Sequence, residues 1–260
     1  MMARNIVVTS GKGGVGKSSI SVNLAISLAL NNFDVCLIDA DFGLKNLDVM
    51  LGLENRVVYD LKDVIDGRCS LDQVLIKDKR CSSLYLIPAC KTLDFKSIDT
   101  SYMETIINHF QHRFDFIIID SPAGIERGFD YACSFAQEAI VVVNLDLSSI
   151  RDNDRVIGLL MKKGINDIKM IINRVNIRNI EEDKSLSIED ARDILSIPLL
   201  GIVYESNDMI EANNKGVPIS LQKSSILEKC FQNIAKRING ENVPYIKIKK
   251  KNLLHKIFSH

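Results

Sequence analysis

Short runs of apolar residues recur along the chain, separated by longer stretches in which apolar residues return at helical spacing. The apolar runs are rich in Val, Ile and Leu and are nearly continuous, a pattern typical of strands that are covered on both faces. They are residues 5–9, 35–39, 84–88, 116–120, 139–145, 169–174 and 199–204. The pattern therefore predicts seven buried strands.

Amphipathic stretches between these runs predict helices, because their apolar residues gather on one side. The main ones are residues 17–31, 100–112, 148–163 and 224–239. Strands that alternate with helices predict a doubly wound α/β fold, with a mainly parallel sheet of about seven to eight strands and helices on both faces. Ligands of such sheets bind beyond the carboxyl ends of the strands.

The composition changes near residue 240, so we divide the chain into a domain, residues 1–240, and an appended segment, residues 241–260. If the end of this segment is helical, four apolar residues form one stripe about 140° wide. The stripe is Leu253, Leu254, Ile257 and Phe258, and Lys251 and Lys256 lie outside it. A basic amphipathic helix of this kind suits the surface of an anionic bilayer. A solvated lysine tail, or a helix packed on the domain, is the alternative.

Lys plus Arg equals Asp plus Glu at 33 each, so the molecule carries no strong overall field that would favour nucleic acid. The six cysteines form no C-x-x-C pair, and several lie in apolar surroundings. This pattern favours buried free thiols in a reducing compartment over disulfides or a zinc site. The first strand begins almost at once, and no apolar run reaches about 18 residues, so we expect a cytoplasmic protein that does not span a membrane.

Residues 11–18, GKGGVGKS, match the phosphate-binding pattern G-x-x-x-x-G-K-[S/T] between a predicted strand and a predicted helix. The glycines, which are Gly11, Gly13, Gly14 and Gly16, let backbone N–H groups face phosphate oxygens. Lys17 is predicted to neutralise the β- and γ-phosphates of ATP, and the Ser18 hydroxyl to coordinate Mg²⁺. The loop contains a second lysine, Lys12, for which a phosphate-binding loop has no obvious local need.

Carboxylates end two of the predicted strands. Asp39 and Asp41 close one strand, and Asp120 closes another. Beside a phosphate-binding loop, such positions suit a metal ion, its waters or a hydrolytic water. A solvated strand end or a helix-capping aspartate is the alternative for each of them.

These residues resemble the MinD/ParA class of P-loop ATPases, whose phosphate loop has the deviant form KGGVGKS. The resemblance runs nearly end to end and is strongest toward members that select the cell-division site. It includes residues 7–18, 38–48, 56–67, 75–80, 120–126, 148–160 and the basic tail. It implies a Mg²⁺-dependent ATPase with a P-loop NTPase fold.

The resemblance also implies roles for individual residues. The catalytic residues would be Lys12, Lys17 and Asp41, with Lys12 reaching the nucleotide of the partner subunit and Asp41 positioning the attacking water. Asp39 would belong to the first switch region, and Asp120 to the Walker B position, where it holds Mg²⁺ through water. The implied nucleotide-binding set is Gly11, Lys12, Gly13, Gly14, Val15, Gly16, Lys17, Ser18, Asp39, Asp120 and Asn173, with Asn173 in the adenine pocket.

Lys45, Asp152 and Asp154 would lie at partner or dimer interfaces, although Asp154 is equally well explained as part of a charged helix start. Two positions depart from the family pattern. Lys45 stands where arginine is expected, which removes a planar fork from the partner contacts near this position. Tyr204 stands where proline usually precedes Glu205, which bears on the wall of the base pocket.

The function that the resemblance implies is that of an ATP-hydrolysing molecular switch. The protein would form a homodimer when ATP is bound, and it would bind anionic lipids through its tail. It would be cytoplasmic, and peripheral on the cytoplasmic face of the inner membrane when ATP is bound. A MinC-like septum inhibitor and a MinE-like activator would be its partners, with no nucleic acid expected.

Two other functions share this loop. A ParA-type DNA-partition ATPase would need a basic patch on the domain, whereas the unopposed lysines here lie in the tail. An iron–sulfur or electron-transfer ATPase would need paired cysteines at a dimer axis, for which Cys90 and Cys133 are only loosely placed.

Overall fold

The computed structural model describes residues 2–41, 46–90 and 101–247. Within this part of the chain, eight strands form one sheet. The strands are β1 (Arg4–Thr9), β2 (Val35–Asp39), β3 (Ile76–Lys77), β4 (Leu84–Ile87), β5 (Phe116–Asp120), β6 (Glu138–Val143), β7 (Asp167–Val175) and β8 (Leu199–Tyr204). All seven predicted strands are confirmed. The additional strand, β3, has two residues, too few for a periodicity to reveal.

Eleven helices accompany the sheet in the described residues. They are α1 (Lys17–Leu30), α2 (Leu47–Met50), α3 (Leu61–Ile65), α4 (Leu71–Val74), α5 (Ser101–Phe110), α6 (Arg127–Cys133), α7 (Leu147–Lys162), α8 (Ile177–Glu181), α9 (Ile188–Leu195), α10 (Asn207–Asn214) and α11 (Ile226–Ile238). The four predicted helices correspond to α1, α5, α7 and α11. Most of the helices outside that set span no more than about two turns, which is too short to give a clear 3.6-residue pattern.

The order of the strands is β3-β4-β2-β5-β1-β6-β7-β8, and every pair is parallel except β3 with β4. This confirms the predicted mainly parallel sheet. The crossover from β1 to β2 runs in one direction along the sheet and that from β6 to β7 in the other. Because such crossovers are right-handed, α1 and α7 lie on opposite faces. The strand order therefore reverses direction at β1. Such a switch point is where α/β folds bind ligands.

Helix α1 is buried on nearly all sides, which corrects its prediction as an amphipathic helix. Every residue from Ile20 to Ala29 is buried. The helix packs on β2 and β5 and is covered by α11 and by the 3₁₀ turn Ile219–Leu221. Its buried Asn23 accepts a hydrogen bond from the backbone N–H of Ser220 at 2.9 Å, so the polar side chain inside the core is satisfied.

The six cysteines form no disulfide, as predicted, and all are buried except Cys69, which is half-buried. None of the helices among the described residues is long and apolar enough to cross a membrane.

Candidate functional site

The phosphate-binding loop follows β1 and leads directly into α1, which begins at Lys17. Gly16 caps this helix in the left-handed conformation, with φ of 96°. A Cβ atom added there would lie 2.3 Å from Nδ2 of Asn173, so the position excludes a side chain as well as favouring glycine. The loop and the start of the helix thus form where the sequence predicts, with N–H groups available for phosphate.

The two lysines of the loop lie in opposite environments. Lys17 is only 7% exposed, whereas Lys12 is exposed. Burial lowers the pKa of Lys17, and the nearby carboxylates of Asp120 and Asp41 act in the opposite direction. Lys17 therefore faces the carboxylates of its own site, and Lys12 presents its charge to the outside of the molecule.

Asp120 lies at the end of β5 and accepts hydrogen bonds from two hydroxyls of α1. Ser18 Oγ donates to its Oδ2 at 2.7 Å, and Ser21 Oγ donates to its Oδ1 at 2.7 Å. Burial raises the pKa of Asp120 to about 6, while the two serine hydroxyls and Lys17 lower it. These contacts place the predicted carboxylate against the predicted metal-binding serine.

Asp39 stands next to Asp120 because β2 and β5 are paired in parallel, with these two residues in register. It accepts backbone N–H groups from Asp41 at 3.1 Å and Leu47 at 3.4 Å. Burial, followed by the negative charge of Asp120, raises the pKa of Asp39 to about 8. Two buried carboxyl groups side by side favour a nearby cation, since a cation would offset their mutual repulsion.

The oxygen donors of this corner suit Mg²⁺. They comprise the Ser18 hydroxyl and the carboxylates of Asp39 and Asp120. In the described residues, no group of three or more His, Cys, Asp and Glu side chains is arranged to hold a metal ion. The Ser18 hydroxyl and the two carboxylates fit Mg²⁺, because this ion keeps several waters and takes further ligands from substrate phosphates.

Asp41 is half-buried just past the end of β2. Its charge acts on both Lys17 and Asp120, so it lies near the phosphate loop as predicted. Lys45, the predicted partner contact that follows it, lies outside the described residues.

A pocket of about 450 Å³ opens beside Gly16, at the carboxyl ends of β7 and β8. Asn173 lies in its wall, and its Nδ2 donates to the carbonyl of Val15 at 2.7 Å, which ties β7 to the phosphate loop. Tyr204 forms another part of the wall at the end of β8. The structure therefore places the predicted adenine-site residue, Asn173, in a cavity that is continuous with the loop.

Helix α7 packs directly against the start of the phosphate loop. The Asn153 side chain, fully buried, accepts the backbone N–H of Gly11 at 3.0 Å and donates to the carbonyl of Ser149 at 2.8 Å. Sequence reasoning missed this role for Asn153, because residues 151–155, RDNDR, predict only a charged helix start or a partner contact. Of the two predicted interface residues in this string, Asp152 is half-buried beside Gly11 and Asp154 is exposed.

Replacing Gly11 by alanine should destabilise the protein even without nucleotide. The new Cβ would lie 2.4 Å from the backbone carbon and oxygen of Asp152, so α7 or the loop must shift. Forced overpacking of this kind costs about 1–3 kcal/mol of the free energy of unfolding. Denaturant unfolding measures it, and Gly13→Ala is the matched control, since its Cβ would make only an ordinary 3.7 Å contact with Ala123. Equal stability of the two variants would contradict the close packing of α7 on the loop.

The predicted membrane-binding residues cannot be placed in this fold. Leu253, Leu254, Ile257, Phe258, Lys251 and Lys256 all lie outside the described residues, which end at Lys247.

Most of this chain is similar to known proteins of one nucleotide-binding family. Residues 6–219 match the model of the CobQ/CobB/MinD/ParA nucleotide binding domain. A relative from Synechocystis, named septum site-determining protein MinD, is 45% identical over 246 residues, which cover 94% of this chain and 92% of the relative.

Two solved structures are also similar along nearly their whole length. The MinC:MinD cell division protein complex of Aquifex aeolicus aligns with a TM-score of 0.86 and 43% identity, covering 94% of this chain and 99% of the solved chain. The MinD of Pyrococcus horikoshii in complex with Mg-ADP aligns with a TM-score of 0.81 and 28% identity, covering 92% and 96% respectively.

Proposed function

The chain belongs to the MinD branch of the CobQ/CobB/MinD/ParA nucleotide-binding family, the branch of septum site-determining cell-division ATPases, and from this premise we propose that it is a membrane switch. In this proposal it dimerises on binding ATP, attaches to the inner membrane through its C-terminal segment and positions an inhibitor of septum formation. Hydrolysis of ATP reverses these steps. The useful product of the cycle is then a conformation, so a slow turnover is sufficient.

The contrast between the two lysines carries the proposal. Lys17 is buried within the electrostatic reach of Asp120 and Asp41, so it serves the nucleotide of its own subunit. Lys12 is exposed on the same loop, where its ammonium group is available to a second subunit. A cation supplied from a partner can stabilise transition-state charge only after the subunits meet, as an arginine finger does in other nucleotide hydrolases. Hydrolysis and dimerisation are thereby linked.

Within one subunit, the residues of the site divide the work of binding. The N–H groups of the loop and Lys17 hold the phosphates, and the pocket beside Gly16 takes the base against Asn173 and Tyr204. Mg²⁺, when bound, would neutralise charge on the phosphate oxygens, and Ser18 with Asp120 would hold it there. Asp41 orients the attacking water. The Mg-ADP complex of the Pyrococcus horikoshii relative supports this choice of nucleotide and ion.

The partners follow from the same premise. The Aquifex aeolicus relative is found in a MinC:MinD complex, which supports a MinC-like inhibitor as a partner of this chain. A MinE-like activator, anionic lipids and a second copy of the chain complete the proposed set. Asp152 and Asp154 belong to the proposed interface, since they lie on the helix that packs against the phosphate loop.

An iron–sulfur or electron-transfer role receives no support from the cysteines. Cys90 and Cys133 are 0% and 2% exposed, so neither thiol is presented to a partner subunit. Burial also raises the pKa of Cys133 to about 12, which disfavours the thiolate that a cluster requires.

Ser18→Ala should weaken the affinity for the Mg²⁺ that supports ATP hydrolysis, whereas Ser21→Ala should not. Both hydroxyls donate to Asp120 at 2.7 Å, so both variants lose one hydrogen bond to a buried carboxyl group and should lose similar stability. Of the two serines, only Ser18 is proposed to bind the ion. Loss of its hydroxyl should raise the Mg²⁺ concentration for half-maximal hydrolysis at least about tenfold. The measurement is ATPase rate against Mg²⁺ concentration. Equal effects of the two variants would contradict the assignment of Ser18 as a ligand.

A further inference from the structure

Residues 241–247, which we name the C-terminal arm, lie against the folded domain. The arm follows α11 and turns back along it, so that Asn233 Nδ2 donates to the carbonyl of Pro244 at 3.1 Å. Arg237 Nε donates to the carbonyl of Val243 at 3.1 Å, and its guanidinium lies 4.2 Å from the ring centre of Tyr245. The Tyr245 hydroxyl donates to the carbonyl of Leu199 in β8 at 2.7 Å. The arm is therefore seated on α11 and on the edge strand β8.

Tyr204 joins this arm to the nucleotide pocket. Its hydroxyl donates to the carbonyl of Ile246 at 2.7 Å, and its side chain is buried. Tyr204 lines the pocket of about 450 Å³ beside Gly16 and also a second cavity of about 340 Å³, whose wall includes Tyr245, Ile246 and Lys247. Among the described residues, Tyr204 is the one that lines both cavities. One residue therefore borders both the proposed nucleotide site and the place where the arm packs on the domain.

We propose that Tyr204 couples nucleotide binding to the seating of the C-terminal arm. This inference rests on the proposed nucleotide site. A base in the pocket packs against the ring and restricts its rotation, and a restricted ring keeps its hydroxyl on Ile246. By linkage, nucleotide stabilises the seated arm, and the seated arm raises nucleotide affinity by the same factor. The proline that the family pattern places at this position has no hydroxyl and could not make this contact.

Seating of the arm fixes the position of Lys247, the last described residue, on the domain. With the arm free, the chain would be held only up to the end of α11; with the arm seated, it is held up to Lys247. A shorter tether with a defined origin raises the effective concentration of a second tail at the membrane once the first has bound. Nucleotide binding would thus prepare a subunit for attachment before any dimer forms.

Chymotrypsin cleavage after residue 245 tests the coupling in the full chain, because the enzyme can cut there only when the arm has left its seat. The rate at which the fragment 1–245 appears follows the population of open arm when opening is fast. Mg·ADP is the probe, since it cannot be hydrolysed further, and calorimetry gives its affinity in parallel. The variants are Tyr204→Phe and, as the matched control, Tyr245→Phe, which removes an arm hydrogen bond remote from the nucleotide pocket.

In the wild-type chain, saturating Mg·ADP should slow cleavage about three- to tenfold, the scale of one neutral hydrogen bond. Tyr204→Phe should be cut faster without nucleotide, should lose the protection by Mg·ADP and should bind Mg·ADP more weakly by the factor of protection lost. Tyr245→Phe should also be cut faster, yet keep the full protection. Unchanged protection in Tyr204→Phe, or none in the wild-type chain with Mg·ADP bound, would overturn the coupling alone. A wild-type chain that binds no Mg·ADP would overturn the proposed nucleotide site as well.

Discussion

A chain that ends at Lys247 should fail to sediment with anionic liposomes in the presence of ATP, whereas the full chain should sediment with ATP and remain in solution with ADP. The truncation leaves every described element intact, because it removes only residues that follow the last described one. Four large apolar residues per tail make monomeric attachment marginal. Two tails in one dimer act together and should bind about 10²- to 10⁴-fold more tightly than one tail alone, and a chain that lacks the tail loses all of this affinity.

Single substitutions in the tail sharpen this experiment. Ile257→Asp places a charge within the predicted apolar stripe, and Ser259→Asp places the same charge on the opposite side of the predicted helix. Only the first should abolish sedimentation if the stripe enters the bilayer, whereas both should weaken it equally if binding depends on net charge. Equal pelleting with ATP and ADP, or full pelleting of the truncated chain, would refute the membrane switch. A DNA competitor that removes the full chain from liposomes would instead favour a DNA-partition role.

Lys12→Ala should bind Mg·ATP nearly as well as the wild-type chain and yet lose ATP-dependent dimerisation and membrane-stimulated hydrolysis. The reason is the exposure of Lys12, which keeps its charge away from the buried site of its own subunit. A charge supplied by a partner subunit is worth about 10³- to 10⁵-fold in turnover in other nucleotide hydrolases. Lys17→Ala is the contrasting variant and should lose Mg·ATP binding itself. Light scattering, calorimetry and ATPase assays separate these effects.

Mixing two inactive variants distinguishes action across the interface from action within one subunit. Asp41→Asn keeps Lys12 but loses the residue proposed to orient water, and Lys12→Ala is the reverse. If Lys12 acts on the partner's nucleotide, a mixed dimer contains one complete site, which includes one Lys12 contact across the interface. An equal mixture should then recover turnover, up to roughly a quarter of the wild-type value in the limit of random pairing. If Lys12 acts in its own subunit, the mixture stays inactive. Full activity of Lys12→Ala alone would remove the role entirely.

The sequence by itself determined the features that depend on neighbouring residues. Continuous apolar runs located seven strands, and the spacing of Gly11 to Ser18 between a strand and a helix located the phosphate loop and the first residue of α1. Both signals are local, because the burial of a strand and the conformation of the loop depend on residues that follow one another in the chain. The same local signal was misleading for α1, whose second face is covered by α11, an element distant in the chain.

Only the tertiary structure decided which of these residues meet and which face solvent. The strand order places Asp39 beside Asp120, and the packing of α7 on the loop brings the Asn153 side chain within hydrogen-bond distance of the Gly11 N–H. Lys12 and Lys17 are near neighbours in one loop, but the carboxyl ends of the strands bury one and leave the other exposed. Tyr204 meets Ile246 for the same reason, since the return of the chain along α11 brings the arm to β8. Periodicity describes one element at a time, whereas these contacts depend on the packing of several elements at once.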